Sequence, residues 1–209
     1  ILFAREHSGR ILRLGRPTRI PACHPDRVLG SAVLPEYEKL AQGKRPSAVA
    51  ANLPTVEEDG ASAEVAALYQ QFRARFGRTD IPGILRCFAT HPPLLRAMMD
   101  LASGMLFTDG ALARRHKEMI ATFVSFRNAC PYCADSHGYF LSTQGGSPDL
   151  LTALRTGDLN SPLLTEAERA LLRFAGEVNN DSQAITRSDI ETAVQAGWSE
   201  AQVADAVHI

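Results

Sequence analysis

Helix start and stop signals recur from residue 62 to the end of the chain and constrain the fold more than any other feature. Two stretches, Thr165–Glu168 and Ser199–Gln202, carry the capping-box pattern, in which a hydroxyl residue is followed three positions later by Glu or Gln. Apolar residues recur at helical spacing between such signals, without the alternation typical of a strand or hairpin. The sequence therefore predicts an all-α, multi-helix bundle.

Individual helices follow from the same signals. Helices are predicted to run from Ser62 to Gly77, from Ser147 to Gly157 and from Thr186 to Gly197. Residues 81–107 predict a short helix, a break at Pro92–Pro93 and a longer helix. The apolar residues expected to line this longer helix are Leu94, Leu95, Met98, Leu101, Met105 and Leu106. The next predicted helix has an apolar face made by Met119, Ile120, Phe123 and Phe126.

The first 50 residues differ from the rest, so we divide the chain into an N-terminal extension (1–50) and a helical domain (51–209). Arginines outnumber acidic residues in the extension, and prolines interrupt any long helix. We interpret it as a flexible or surface-wrapping segment; a targeting arm and a contact for an acidic partner are the alternatives. The residues concerned are Arg5, Arg10, Arg13, Arg16, Arg19, Arg27, Pro17, Pro21, Pro25 and Pro35.

Composition narrows the functional classes. A net charge of −1 argues against a nucleic-acid or membrane partner, and no apolar run reaches the roughly 18 residues of a membrane span. No secretory signal is visible, and four cysteines in 209 residues are too few for a secreted disulfide scaffold, so we expect a cytoplasmic protein. A start at Ile1 without Met, and an end at Ile209 within a predicted helix, leave truncation open at both ends.

The stretch NACPYCADSHGYF, residues 128–140, concentrates the reactive side chains. On a helix, Cys130, Cys133 and His137 share one stripe, and the two cysteine Cα atoms lie within the roughly 4.4–6.8 Å range of a disulfide. A redox pair, a zinc site and purely structural cysteines all fit this stripe. Redox chemistry is favoured, because no second Cys-x-x-Cys or His-x-x-x-His follows to complete a closed zinc site.

The predicted start of this helix distinguishes the two thiols. Cys130 falls at or near the N-cap, before Pro131, where free backbone N–H groups and the helix dipole favour a thiolate. Cys133 has His137 one turn away as a base. The two cysteines therefore have different activators, as an attacking and a resolving thiol require.

The other two cysteines are interpreted without a catalytic role. Cys87 lies in an apolar run and is predicted to be a buried structural thiol. Cys23, followed by His24, is interpreted as an incidental loop residue rather than as part of a metal site.

Glu118 lies twelve positions before Cys130, on the preceding predicted helix. Taken alone, a glutamate among polar neighbours is most often solvated and paired with an arginine. The chain turns near Asn128, however, and this turn can fold Glu118 back towards Cys133 and His137. A carboxylate that orients a histidine, which in turn deprotonates a thiol, is a general proton-relay arrangement.

These residues form the pattern E-x11-C-x-x-C-x-x-x-H, which resembles the alkylhydroperoxidase D-like branch of the carboxymuconolactone decarboxylase superfamily. The resemblance extends over roughly residues 53–209 and includes LPTVEED, HPPLLRAM, RRHKEMIATFVSFRNACPYCADSH and LTEAERALLRFAGEV. It implies an all-helical fold assembled as a homo-oligomer, commonly a trimer or hexamer.

The resemblance also implies an activity, the reduction of hydrogen or organic hydroperoxides through the cysteine pair. The matching roles are Cys133 as the attacking thiolate, Cys130 as the resolving thiol, and His137 and Glu118 as the proton relay. A dithiol such as a lipoylated protein is the expected reductant, and we predict neither a cofactor nor a metal. Two alternatives stay open: a general thiol–disulfide oxidoreductase and a non-enzymatic, metal-binding helical oligomer.

One position departs from the family pattern. The best-characterised members have a histidine between the two cysteines, whereas this chain has Tyr132. Tyrosine can donate a hydrogen bond but is a poor base near neutral pH, so a packing role is slightly favoured for Tyr132. Lactone decarboxylation is disfavoured, because the decarboxylase branch usually lacks the cysteine pair.

Overall fold

The structure is a computed structural model that describes residues 53–77 and 79–209. Within these residues it contains nine α-helices and no strand, which confirms the all-α prediction. The predictions for the N-terminal extension, and for Cys23 and His24, concern residues outside the described part. The helices are α1 Ala63–Phe76, α2 Gly83–Phe88, α3 Pro92–Ala102, α4 Arg114–Arg127, α5 Pro131–Thr143, α6 Pro148–Thr156, α7 Glu166–Asp181, α8 Arg187–Gln195 and α9 Glu200–Val207.

The helix ends follow the local chemistry that the sequence predicts. The Ser62 hydroxyl accepts a hydrogen bond from the backbone N–H of Val65 at the start of α1. At the end of this helix Gly77 has a φ of 66°, a left-handed conformation that glycine adopts without steric cost. The predicted capping boxes Thr165–Glu168 and Ser199–Gln202 both form, at the starts of α7 and α9. These signals depend on residues that are close in sequence, and the structure confirms each of them.

The region between α2 and α4 differs from the prediction in two details. Pro92 and Pro93 do not break a helix but begin α3, where a missing N–H costs nothing; the break lies before them. Leu94 and Leu101 were expected to line this helix, yet they are 45% and 60% exposed in the single chain. The buried residues of this helix are Leu95, as predicted, and Met99, which was not predicted. After α3 the chain continues as one wider turn of π-helix, Ser103–Phe107.

Two apolar clusters organise the described residues. The smaller one joins α1, α2 and α3, with Leu68, Tyr69 and Leu95 almost fully buried. The larger one is built from α4 to α9 around Met119, Phe123 and other fully buried side chains. A row of aromatic rings leads from the smaller cluster to α5: Phe76 of α1 contacts Phe107, and Phe107 contacts Phe140 of α5, with ring centroids 4.7 and 4.9 Å apart. The N-terminal helices therefore reach the helix that carries the cysteines.

Helices α4 and α5 are consecutive and pack against each other. The turn between them passes through Ala129, whose φ of 50° is in the left-handed region that non-glycine residues rarely adopt. The backbone N–H of Cys130 donates to the Ser125 carbonyl at 3.0 Å, which fixes the start of α5 against the end of α4. None of the helices in the described ranges is long and apolar enough to cross a membrane.

Candidate active site

Glu118 is fully buried in the middle of α4, with 0% of its surface exposed. The general expectation that such a glutamate is solvated is therefore wrong for this residue. Burying a carboxylate is unfavourable unless hydrogen bonds or cations compensate for the lost hydration. The groups that contact Glu118 must therefore offset the cost of its lost hydration.

The first partner of Glu118 is His137 on α5. The Nδ1 atom of His137 lies 3.0 Å from Glu118 Oε2, within hydrogen-bond distance. When the carboxylate is ionised it can only accept, so Nδ1 carries the proton and donates. In the neutral ring, Nε2 is then left as an acceptor. This arrangement prepares His137 to take a proton from a nearby acid.

The cysteine pair lies at the first turn of α5. Cys130 is the N-cap residue and Pro131 occupies the first helical position, as the sequence predicts. The backbone N–H of Cys133 donates to Cys130 Sγ at 3.3 Å, so a helix-start donor does point at the Cys130 sulfur. The two cysteines form a disulfide with their Cα atoms 5.4 Å apart. The pair is therefore placed for reversible oxidation without movement of the helix backbone.

The four predicted site residues thus occupy two adjacent helices. Glu118 reaches from α4 to His137, and His137 lies one turn after Cys133 on α5. Burial decreases from the carboxylate to the sulfurs: Glu118 is inaccessible, whereas His137, Cys133 and Cys130 are half-buried. Solvent thus reaches part of each cysteine and of His137 but not the carboxylate.

Tyr132 and Cys87 were the two other residues of interest near this region. Tyr132 is 48% exposed, and its hydroxyl oxygen lies 3.5 Å from the backbone N of Ile84 in α2. The tyrosine between the cysteines therefore points towards the N-terminal helices. Cys87 is a free thiol that is half-buried, so the prediction of a buried cysteine is only partly correct.

Arg114 is a residue that the sequence interpretation did not single out. Its Nε atom lies 3.6 Å from Glu118 Oε1, the carboxylate oxygen that does not face His137. Its guanidinium lies over two rings, with Cζ 5.2 Å from the centroid of Phe107 and 5.5 Å from that of Phe140. The i, i+4 spacing of Arg114 and Glu118 was the signal that could have identified this contact.

A second buried carboxylate, Glu168 of α7, packs against α4. Its Oε1 atom accepts from Arg115 at 2.5 Å, and its Oε2 atom accepts from the Thr165 backbone N–H at 2.9 Å. Burial alone would raise the pKa of Glu168, but the hydrogen bonds from Thr165 and Arg115 lower that pKa below its usual value. Burial lowers the pKa of the neighbouring His116. Both carboxylate oxygens of Glu168 therefore accept hydrogen bonds, and no cysteine takes part in these contacts.

The described residues contain no group of three or more His, Cys, Asp or Glu side chains that could hold a metal ion. The metal-binding alternative therefore has no ligand cluster within the ranges 53–77 and 79–209. The site described above consists of a disulfide, a histidine and a carboxylate.

A protein-family model and two solved structures resemble this chain. Residues 92–155 match the model of the Carboxymuconolactone decarboxylase family. An uncharacterized peroxidase-related protein from Silicibacter sp. TM1040 has a similar crystal structure, with a TM-score of 0.67 and 23% identity over 78% of this chain and 85% of that chain. The crystal structure of an alkylhydroperoxidase AhpD core, an uncharacterized peroxidase-related protein from Ralstonia eutropha JMP134, is also similar. Its TM-score is 0.65, and its sequence is 22% identical over 76% of this chain and 84% of that chain.

No curated protein matches the chain. The family match covers α3 to α6, which includes both helices of the site. The predicted resemblance is therefore confirmed: residues 92–155 match the family model, and the described helices have a fold similar to that of two peroxidase-related proteins, one of them an alkylhydroperoxidase AhpD core.

Proposed function

We propose that this protein is a thiol-dependent peroxidase that reduces hydrogen or organic hydroperoxides through Cys130 and Cys133. The observation that carries the proposal is the buried hydrogen bond between Glu118 and His137, one helical turn from a disulfide-bonded cysteine. A histidine held by a carboxylate is a general base, and a thiol needs such a base to become a nucleophile near neutral pH. The two solved structures of similar fold are both named peroxidase-related, which supports the same class.

The reaction begins with the reduced pair. His137 Nε2 takes the proton of the Cys133 thiol, and the thiolate attacks the terminal oxygen of ROOH. The O–O bond breaks, Cys133 becomes a sulfenic acid, and the leaving alkoxide receives the proton from His137 to give ROH. Cys130 then attacks the sulfenic sulfur. The S–S bond forms, and the hydroxyl of the sulfenic acid leaves as water with the proton of Cys130.

A dithiol closes the cycle by supplying two electrons and two protons. One thiolate of the reductant attacks Cys133, Cys130 leaves, and the second thiol releases the reductant as its own disulfide. The N–H of Cys133 at 3.3 Å from Cys130 Sγ stabilises Cys130 as the departing thiolate. A lipoylated protein is the proposed natural reductant. A homo-oligomer, trimeric or hexameric, acting in the cytoplasm is part of the same proposal.

The test is peroxide consumption with dihydrolipoamide or dithiothreitol as reductant. Wild type is expected to turn over cumene hydroperoxide, and Cys133→Ser is expected to show no thiol-driven turnover. Cys87→Ser is the matched control, because it removes a half-buried free thiol outside the site and should keep full activity. Undiminished turnover by Cys133→Ser would refute the proposal.

A general thiol–disulfide oxidoreductase is the second candidate, because the disulfide is half-buried rather than buried and no histidine lies between its cysteines. Such an enzyme would reduce insulin with the same pair and leave cumene hydroperoxide untouched. Running both substrates against wild type and Cys133→Ser separates the two functions. Insulin reduction without peroxide turnover would favour this second candidate.

A further inference from the structure

Two buried polar atoms face each other beside the proposed relay without a hydrogen bond. Glu118 Oε1 and Arg114 Nε are both inaccessible to solvent and have no hydrogen-bond partner among the described residues. They lie 3.6 Å apart, which is within ion-pair distance but beyond a normal N–H···O bond. A charged pair that is close and buried, but not directly bonded, acts mainly through its electrostatic field.

We propose that Arg114 is a positioning residue that balances the negative charge of Glu118 and thereby favours the thiolate of Cys133 beside His137. The inference rests on the proposed thiol chemistry and adds a residue outside the E-x11-C-x-x-C-x-x-x-H pattern. Arg114 acts through Glu118 and His137 and contacts no reacting atom.

The guanidinium is held in place by aromatic rings rather than by solvent-exposed contacts. Phe107, from the π-helical turn before α4, and Phe140, from α5, each place a ring within 5.5 Å of the Arg114 Cζ atom. Phe140 lies three residues after His137, so the helix that carries the base also carries one of the two rings that contact the guanidinium. A planar guanidinium suits two rings better than an ammonium group does.

The charged groups near the Arg114 guanidinium determine what the loss of its positive charge would change. Glu118 and Arg114 belong to α4, His137 and Cys133 belong to α5, and the Asp109 carboxylate before α4 accepts from the Arg114 backbone N–H at 2.7 Å. With Arg114 present, the negative charge of Glu118 is balanced while His137 is neutral. Without it, the uncompensated charge of Glu118 lies beside His137 and the first turn of α5, and a negative charge there disfavours a second one on the Cys133 sulfur.

Loss of the positive charge should therefore shift thiolate formation at Cys133 to higher pH. The direct readout is the rate at which iodoacetamide alkylates Cys133 in the reduced protein, followed by mass spectrometry from pH 5 to pH 10. We expect the midpoint of this profile to rise by at least about half a pH unit in Arg114→Met and Arg114→Gln. Arg114→Lys keeps the charge and should restore most of the wild-type midpoint.

Arg127→Met is the matched control. Arg127 lies on the same helix, with its guanidinium over the ring of Phe123 at 5.4 Å, about 20 Å along the axis from Arg114. The control thus removes the same charge and the same kind of ring contact without touching Glu118. Its alkylation midpoint should equal that of wild type.

Three results would overturn the inference: unshifted midpoints in the folded neutral variants, an equal shift in Arg127→Met, or no restoration by Arg114→Lys. Circular dichroism identifies folded variants, and Arg114→Gln, which keeps polar N–H groups, serves if Arg114→Met does not fold. Alkylation needs no peroxide turnover. The role of Arg114 can therefore fail while Cys133-dependent turnover persists, and the peroxidase proposal can fail while the midpoint still shifts.

Discussion

Two buried glutamates lie at α4, Glu118 on the helix itself and Glu168 on α7 packed against it, and their surroundings differ in one decisive respect. Each has an arginine of α4 beside it, Arg114 for Glu118 and Arg115 for Glu168, and each has a histidine within 3.6 Å. Around Glu168 both carboxylate oxygens accept direct hydrogen bonds. Around Glu118 one oxygen binds His137, and the other has no hydrogen-bond partner in the described part of the chain.

The difference separates a structural carboxylate from the carboxylate of the proposed relay. Glu168 completes the capping box of α7 and ties α7 to α4, so its hydrogen bonds stabilise the fold. Glu118 lies beside a histidine that is itself one turn from a cysteine, and part of its hydrogen-bonding capacity is left unused. Buried polar groups that are incompletely satisfied are costly, and they concentrate where a protein performs chemistry. The comparison therefore predicts opposite consequences for the two glutamates.

The largest expected effect is on activity, in Glu118→Gln. The amide keeps the shape of the carboxylate but cannot stabilise a protonated His137, so we expect kcat/KM for cumene hydroperoxide to fall roughly 100-fold. The melting temperature should change less than in Glu168→Gln, because the amide oxygen can still accept from His137 Nδ1 and because Arg114 makes no direct hydrogen bond to the carboxylate. Steady-state kinetics with dihydrolipoamide and thermal unfolding measure the two quantities. A variant that melts early and keeps its specific activity would reverse the assignment.

Glu168→Gln should produce the opposite pattern. The variant loses charge-assisted hydrogen bonds and leaves Arg115 without its carboxylate, so we expect the free energy of unfolding to fall by about 1–3 kcal/mol. Peroxide turnover at a temperature where the variant is folded should equal that of wild type. Urea unfolding and the same kinetic assay test this, and a tenfold loss of turnover in the folded variant would contradict it.

The pH dependence of stability should follow the Glu168 cluster. The pKa of Glu168 is lowered below 4.5 and that of His116 below 6.5, chiefly by hydrogen bonds for the glutamate and by burial for the histidine. For both groups the unfolded chain binds protons more readily, so the stability that they contribute is present above the unfolded pKa and is lost as pH falls. The melting temperature should therefore decline first below about pH 6.5 and again below about pH 4.5.

His116→Gln isolates the first of these two transitions. The glutamine does not titrate, so the decline of the melting temperature between pH 6.5 and pH 5 should be shallower than in wild type. The decline below pH 4.5 should remain, because Thr165 and Arg115 still bind Glu168. Parallel curves for the two proteins between pH 6.5 and pH 5 would show that another group causes the first decline.

The two glutamates also show how far the sequence alone can lead. The capping box Thr165–Glu168 and the N-cap position of Cys130 were predictable, because both depend on residues three positions apart. The link between Glu168 and Arg115 was not predictable, because it joins residues 53 positions apart through the packing of α7 on α4.

The same limit applies to the candidate site and to the exposed side chains. Spacing placed Cys130, Cys133 and His137 on one stripe, but the burial of Glu118 depends on how α5 packs on α4. Leu94 and Leu101 had the right period for a core, yet no element among the described residues covers them fully. Periodicity predicts which residues share a face, while tertiary packing decides what that face meets.

The smallest expected effect concerns the arginine of the structural cluster. Arg115→Lys keeps the positive charge beside Glu168 and loses the planar guanidinium, whose Nη1 atom also lies 3.2 Å from Met119 Sδ. Arg115 is 34% exposed in its side chain, so solvent screens the pair and we expect a loss of less than about 1 kcal/mol in unfolding free energy. Peroxide turnover and the alkylation midpoint of Cys133 should both stay at wild-type values. A midpoint shift in Arg115→Lys would show that Glu118 and Glu168 are electrostatically coupled, and the separation of a structural cluster from the proposed relay would then have to be abandoned.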